Sequence, residues 1–406
     1  MQEDHQADTP LPAPRTVHAV HPSKLLPNVT VEVCTSEIVE QRIDRHHAPR
    51  PFLKELLRVD LPDEEGGLAV TRKSLPPEEV AARGGYEGVV LFIHGYAQNR
   101  YTWHTRARSL PNFVASLGYD TYNVDLRGQG RSRREFGAPM PHHPDEYIER
   151  DIPAVVSAAI WMSGCARVVL VGHSMGGAVS YAVAPRLHEA GVLAGVATIA
   201  AVFGFGTNHF VRQLCRVGSN FARTEPPGDL SIPLHLLSKR FIAPFLGLLD
   251  HPASSALPFH GWYPGTVEDD VLRQNLEDGL DQVTLGVTLA LSEWAIEGYF
   301  HAHDGRDYVE AFQAVRDVPV LILAGAQDVL LTPRDAEQAV RFSRSHDVTW
   351  RLFTEEHGGH GWGHLDIILG TDAPRFVWPE LETWLHRIET RWHEDRKETY
   401  SPVNTE

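Results

Sequence analysis

A chain of 406 residues with 42% hydrophobic composition can bury one large core, as a single α/β domain with an insertion or as two domains. Its formal net charge of −16 repels phosphate backbones and anionic lipid heads, so no nucleic-acid partner is expected. Cys34, Cys165 and Cys215 are widely spaced and form no C-x-x-C pair, which argues against a disulfide framework or a zinc knuckle and fits a reducing cytoplasm.

The first residues, MQEDHQADTPLPAP, have neither a basic leader nor an apolar core and are not read as a secretory signal. Residues 1–50 are rich in proline, histidine and charge without sustained periodicity, and are expected to form an N-terminal arm or tail lying on the core. From residue 51 the pattern changes to short β-rich runs: LLRVDLP (56–62), LAVTRKSL (68–75), GVVLFIHG (88–95), YDTYNVDL (119–126) and ARVVLVG (166–172). Helix-length segments at 101–117 and 145–162 separate them. Strands alternating with helices indicate a parallel sheet built from right-handed crossovers, so the fold class is α/β and 51–201 forms the first part of its core.

After MGGAVSYAVAPRLHEAG (175–191) and the strand candidate LAGVATIAA (193–201), residues 202–314 break the alternation and are expected to be an inserted, largely helical cap. The longest weakly polar stretch, VLAGVATIAAVFGFG (192–206), is shorter than the roughly 20 residues a membrane-spanning helix needs, so no integral membrane segment is expected. The core resumes over 315–395 with DVPVLILAG (317–325), a helix at 333–344, the strand VTWRLF (348–353) and a terminal helix near 377–393; 396–406 reads as a tail.

Within this frame, RVVLVGHSMGGAVSYAVA (167–184) holds a serine between two glycines where an apolar run stops. The motif G-x-S-x-G is common by chance, but here a strand precedes it and an alanine-rich helix follows, the setting of a nucleophile elbow at Ser174. Small neighbours let strand and helix approach around a strained turn. A glycine-rich β-to-α turn is the bland alternative.

A serine nucleophile needs an acid and then a histidine downstream. Asp328 stands just past the strand VPVLILAG. The next helix already has Thr332 as N-cap, Pro333 at its first position and Asp335 in its first turn, so capping does not account for Asp328. The loop TEEHGGHGWGHLDIILG offers His357, His360 and His364 for the base; their glycine-separated spacing does not suit zinc. For an oxyanion, the amide of Met175 at a helix start and that of Tyr96 in the turn after GVVLFIHG are the candidate donors. His94 ends that strand ahead of the serine and reads as a structural histidine. DLRGQGRS (125–132) lacks both dinucleotide and P-loop signatures and reads as a tight turn.

Together HGY (94–96), DLRGQGRS, GHSMGG (172–177), Asp328 and the late histidine loop resemble the α/β-hydrolase superfamily over about residues 56–391. GHLDIILGTDAP (363–374) is similar to the HLD…G.DAP run of acid-lipase-type and polyhydroxyalkanoate-synthase-like hydrolases, whose first histidine is the base. That likeness places the role on His364, with His360 second. The polymer synthases use cysteine where this chain has Ser174, so polymerisation is not carried over. What the resemblance implies is a serine hydrolase of carboxylic esters, without cofactor or metal, acting on a small ester with an apolar acyl or alcohol part. An acyltransferase or thioesterase with the same residues is the nearest alternative, and a non-catalytic binding protein on the same fold is a more distant one. Phe203, Phe205, Phe241, Phe245, Leu246, Trp262 and Trp294 are the apolar residues of the cap weighed between its own core and a substrate pocket.

Overall fold

Every residue of the run VVLFI is buried, and its side chains alternate between two apolar layers: Val89, Leu91 and Ile93 face one, Val90 and Phe92 the other. That is the signature of a strand covered on both faces, and it is why such runs lack the polar alternation of a half-exposed strand. Burying a side chain of this size contributes roughly 1.5–3 kcal/mol, so the central strands anchor the molecule. The computed structural model describes residues 15–17, 25–203, 212–213, 216, 231–251, 253–254 and 260–399.

Twelve strands lie among the described residues. In chain order they are β1 (Arg15–Val17), β2 (Thr30–Gln41), β3 (Arg50–Asp60), β4 (Gly67–Ser74), β5 (Val89–Ile93), β6 (Asp120–Asp125), β7 (Val168–His173), β8 (Leu193–Ile199), β9 (Ser231–Ile232), β10 (Val283–Thr284), β11 (Val320–Gly325) and β12 (Val348–Phe353). Ten form one sheet in the order β1-β2-β3-β4-β6-β5-β7-β8-β11-β12. From β6 to β12 neighbouring strands run parallel; the β1–β4 end joins in antiparallel fashion.

Helices cover both faces of the parallel part. Ile152–Ser163 and Met175–Glu189 pack on one, through Val155, Val156, Val179 and Val183. On the other, Leu110–Ser116 and Trp378–Thr399 contribute Val114, Leu381, Trp384 and Leu385. Between β8 and β11 the chain leaves the large sheet; its described residues carry the β9/β10 pair and the helices Asp269–Gln274, Leu285–Glu297 and Tyr308–Phe312. No helix among the described residues is long and apolar enough to cross a membrane.

Two boundaries differ from the sequence reading. Residues 30–41, expected in the N-terminal arm, form β2 and pair with β3 from Thr30↔Asp60 to Gln41↔Arg50, with the register slipping at Cys34. In β2 only Val31 is buried, so this edge of the sheet lacks the apolar run that marked the central strands. The terminal helix, expected to end near 393, runs to Thr399 and takes in the first residues of the expected tail. The rest of 1–24, the tail from 400 and Cys215 lie outside the described residues.

Candidate active site

β7 ends at His173, and the helix Met175–Glu189 begins one residue later, leaving Ser174 to make the whole turn at φ 56°, ψ −121°. A non-glycine residue in that region is strained by about 1–3 kcal/mol and persists only where its surroundings hold it. Here they do. The Ser174 amide donates to the Ile199 carbonyl at 3.2 Å, and its own carbonyl accepts from the Gly177 amide at 3.0 Å.

The flanking glycines answer to the same packing. A Cβ on Gly172 would stand 2.4 Å from the Gly176 carbonyl oxygen, one on Gly176 2.2 Å from that of Ile93, and one on Gly177 2.3 Å from the Ala201 methyl. Gly176→Ala is therefore expected to push the helix off β5 and cost about 1–3 kcal/mol, read as a lower urea midpoint. An unchanged midpoint would show that the elbow tolerates a wider helix-to-strand gap.

Asp328 lies three residues past β11. Its Oδ1 accepts the amides of Leu330 and Leu331, both at 2.9 Å, and its Oδ2 accepts from His364 Nδ1 at 2.8 Å. Thr332 caps the helix Pro333–Phe342 by accepting from the Asp335 amide, which leaves Asp328 free of that duty. Asp328 and His364 are 4% and 6% exposed, so their hydrogen bond is shielded from water.

The other two histidines of the loop are turned elsewhere. His360 Nε2 meets Asp372 Oδ2 at 3.0 Å and its Nδ1 donates to the Gly361 carbonyl at 2.8 Å; His357 Nδ1 accepts the Thr354 amide at 3.1 Å. His94 is fully buried and pushed below the usual histidine range by desolvation, with its Nε2 accepting the Leu126 amide and its Nδ1 donating to the Gly95 carbonyl. That leaves a neutral ring bracing the loop that carries Tyr96.

Two further residues hold the His364 loop, and sequence reasoning passed over both. His173 packs against the His364 ring with centroids 4.7 Å apart and the planes tilted by 43°, and its Nε2 donates to the His364 carbonyl at 3.1 Å. Burial, then the neighbouring His364, push His173 well below the usual histidine range, so it acts as a neutral brace between elbow and loop. Asp366 accepts the amides of Gly363 at 2.8 Å and Tyr263 at 3.1 Å, and desolvation pushes its carboxyl up to about 6. The H-L-D spacing of the loop was the available signal for Asp366.

Ser174, Met175, Tyr96 and His364 line one cavity of about 400 Å³, together with Gln98. The opposite wall is the helix Leu285–Glu297, which presents Thr288, Leu291, Ser292 and Ala295 to the cavity while Val287, Ala290 and Trp294 are buried. Those four are spaced i, i+3, i+4, i+7, one helical face. Thr288 accepts a hydrogen bond from the Tyr96 hydroxyl at 2.7 Å, and the Ala97 carbonyl accepts the Asp281 amide at 2.7 Å. The segment after β8 is thus tied directly to the Tyr96 turn. DLRGQGRS is a tight turn, with Gly128 and Gly130 at positive φ and Asp125 accepting the Arg100 and Arg131 amides.

The aromatic lining weighed from sequence is absent from this cavity among the described residues. Phe203, Leu246, Trp262 and Trp294 are buried in the two apolar layers, and Phe245 is exposed. Phe205, and the side chain of Phe241, lie outside what the structure describes. The wall is built instead of aliphatic and small residues, among them Val202, Leu280, Leu330, Leu331 and Leu365, and it includes no Asp, Glu, Lys or Arg.

A family model described as "Alpha/beta hydrolase family" matches residues 90–377, from β5 through the His364 loop. The chain belongs to this family. The chain is 23% identical to human lipase member M over 349 residues, spanning 77% of this chain and 78% of that protein. A monoglyceride lipase from Saccharomyces cerevisiae superposes with a TM-score of 0.53 at 18% identity, over 80% of this chain and 93% of that one. A monoacylglycerol lipase from Paleococcus ferrophilus does so with a TM-score of 0.51 at 16% identity, over 75% and 96%. The family match and the lipase relative support ester hydrolysis as the reaction class of this α/β hydrolase.

Proposed function

We propose that this chain hydrolyses carboxylic esters with an apolar acyl or alcohol part through an acyl-enzyme on Ser174. The observation that carries the reading is one cavity, free of Asp, Glu, Lys and Arg side chains, in which Ser174 and a histidine held by a buried aspartate share a wall. With His364 Nδ1 engaged by Asp328, Nε2 is the nitrogen that takes the Ser174 proton as Oγ attacks the ester carbonyl. The amides of Met175 and Tyr96 receive the oxyanion, the first with the dipole of the helix Met175–Glu189 behind it. His364 then protonates the leaving alkoxide. Water, activated in the same way, releases the acid. The described residues of 202–314 act as a cap over the serine, and the helix Leu285–Glu297 supplies its substrate-facing side.

Labelling the purified protein with a fluorophosphonate tests the nucleophile, since an unactivated serine does not react. Wild-type protein is expected to label at Ser174, and absence of labelling refutes the reading. The cavity lining sets the expected selectivity. Each buried methylene contributes roughly 0.8 kcal/mol, so kcat/KM is expected to rise from acetyl to hexanoyl p-nitrophenyl esters by up to about a few hundredfold. Leu291→Ala should flatten that rise by opening the wall. Acetyl esters turning over best, with efficiency falling as the chain lengthens, would reject an apolar acyl pocket here.

A further inference from the structure

A second cavity, of about 140 Å³, shares no residue with the one at Ser174. It lies among β3, β4, β6, the Arg100–Thr102 turn and the short helix Gly130–Arg134, and four cations line it: Lys54, Lys73, Arg100 and Arg131. No Asp or Glu belongs to the lining. In a protein with a net charge of −16 this is a local reversal of sign.

Three of the cations meet a carboxylate that stands outside the lining: Lys54 with Glu37 at 2.8 Å, Arg100 with Asp125 at 2.7 Å and Arg131 with Glu135 at 3.1 Å. Lys73 does not. It is 3% exposed, and its Nζ is surrounded by neutral groups: Gln41 Oε1 at 2.5 Å, Asn112 Oδ1 at 2.7 Å and His104 Nδ1 at 3.4 Å. A buried ammonium without a counter-charge is costly, and its natural complement is an anion. Burial, and then the Lys54 ammonium, push Lys73 down to about 7, and an anion in the cavity offsets both effects.

One lining group specifies more than charge. Asn123 is buried, and its side-chain nitrogen donates to the Arg100 carbonyl at 3.0 Å, while no donor among the described residues reaches its Oδ1. A buried carbonyl oxygen left without a donor favours a ligand that carries one.

We infer that this cavity binds a small oxyanion bearing an O–H group, as hydrogenphosphate does, with the four cations holding its charge and Asn123 Oδ1 accepting its hydroxyl. The cavity suits an inorganic ion or the singly protonated terminal group of a phosphate monoester. Nothing in the ester-cleaving chemistry uses these residues, so the site is independent of that reading.

Calorimetric titration of the full chain at pH 7, with phosphate and sulfate at matched ionic strength, tests it. Sulfate has the same shape but no proton at that pH. Saturable phosphate binding at least tenfold tighter than sulfate is expected. Asn123→Leu should abolish that preference, and Arg131→Gln, whose side chain is a third exposed, should weaken both anions while leaving ester hydrolysis and the fold unchanged. Repeating the titration at pH 5, where phosphate and phenyl phosphate both keep an O–H because a monoester's second pKa is about 6, separates the sources: binding of phenyl phosphate comparable to phosphate assigns a monoester, and exclusion assigns the free ion. No saturable binding of any of the three, or binding indifferent to Arg131→Gln and Lys54→Gln, overturns the proposal. Equal affinity for sulfate and phosphate in the unmutated protein overturns the role of Asn123.

Discussion

Ser174→Ala is expected to lower kcat for p-nitrophenyl esters by on the order of 10⁶-fold while the thermal midpoint stays within a few degrees of the parent. The first half follows from chemistry: without Oγ no acyl-enzyme forms, and only the oxyanion donors and binding remain to assist water. The second follows from geometry. Alanine occupies positive φ no more and no less comfortably than serine, and the Ser174 hydroxyl provides no side-chain cap for the following helix. Ser174→Gly sharpens the test, because glycine relieves the strained φ and ψ. That variant should be as inactive as the alanine form yet more stable than the parent by about 1 kcal/mol. Activity of Ser174→Ala near that of the parent would remove the serine from the mechanism. A glycine variant less stable than the parent would instead show that the turn is not strained.

Strain at the elbow was legible in the amino-acid sequence because glycine placement records it: Gly172, Gly176 and Gly177 each stand where a Cβ would meet another atom at 2.2–2.4 Å. The parallel strands were legible for a related reason, since VVLFI and VVLVGH are buried throughout and carry almost no polar residue. Asp328 drew notice because Thr332 already caps the next helix, and its carboxylate meets His364 Nδ1. What could not be read was anything decided by partners far along the chain. β2 joins the sheet through backbone pairing to β3 and buries only Val31, so its side chains carried little signal. The helix Leu285–Glu297 turns one face to the core and a mixed face of Thr288, Leu291, Ser292 and Ala295 to the cavity, so its sequence does not say which of its residues look at Ser174. Aromatic residues drew attention in the same segment, but size favours them for the interior layers, and the cavity wall fell to Leu291, Ser292 and Ala295.

The histidine loop illustrates the limit most directly, and the decisive experiment lies there. His364→Ala is expected to reduce kcat by on the order of 10⁴-fold or more, whereas His357→Ala and His360→Ala should each cost less than about tenfold. Three histidines within eight residues, separated by glycines of which Gly358 and Gly359 take positive φ, offer no local rule for choosing among them. Their partners distinguish them. His360 spends both ring nitrogens on Asp372 and the Gly361 carbonyl, and His357 accepts the Thr354 amide, so both close the loop on itself. His364 alone of the three lines the cavity with Ser174, and it alone meets Asp328. Because His173 and Asp366 grip the backbone on either side of it, truncating the His364 ring should leave the loop in place, and the loss should appear in kcat rather than in stability. Parallel assays of the three alanine variants, each with a denaturation curve, decide the matter. Should His360→Ala prove the inactive one while His364→Ala turns over normally, the base has been assigned to the wrong ring, and the Asp328–His364 hydrogen bond serves only to hold the loop.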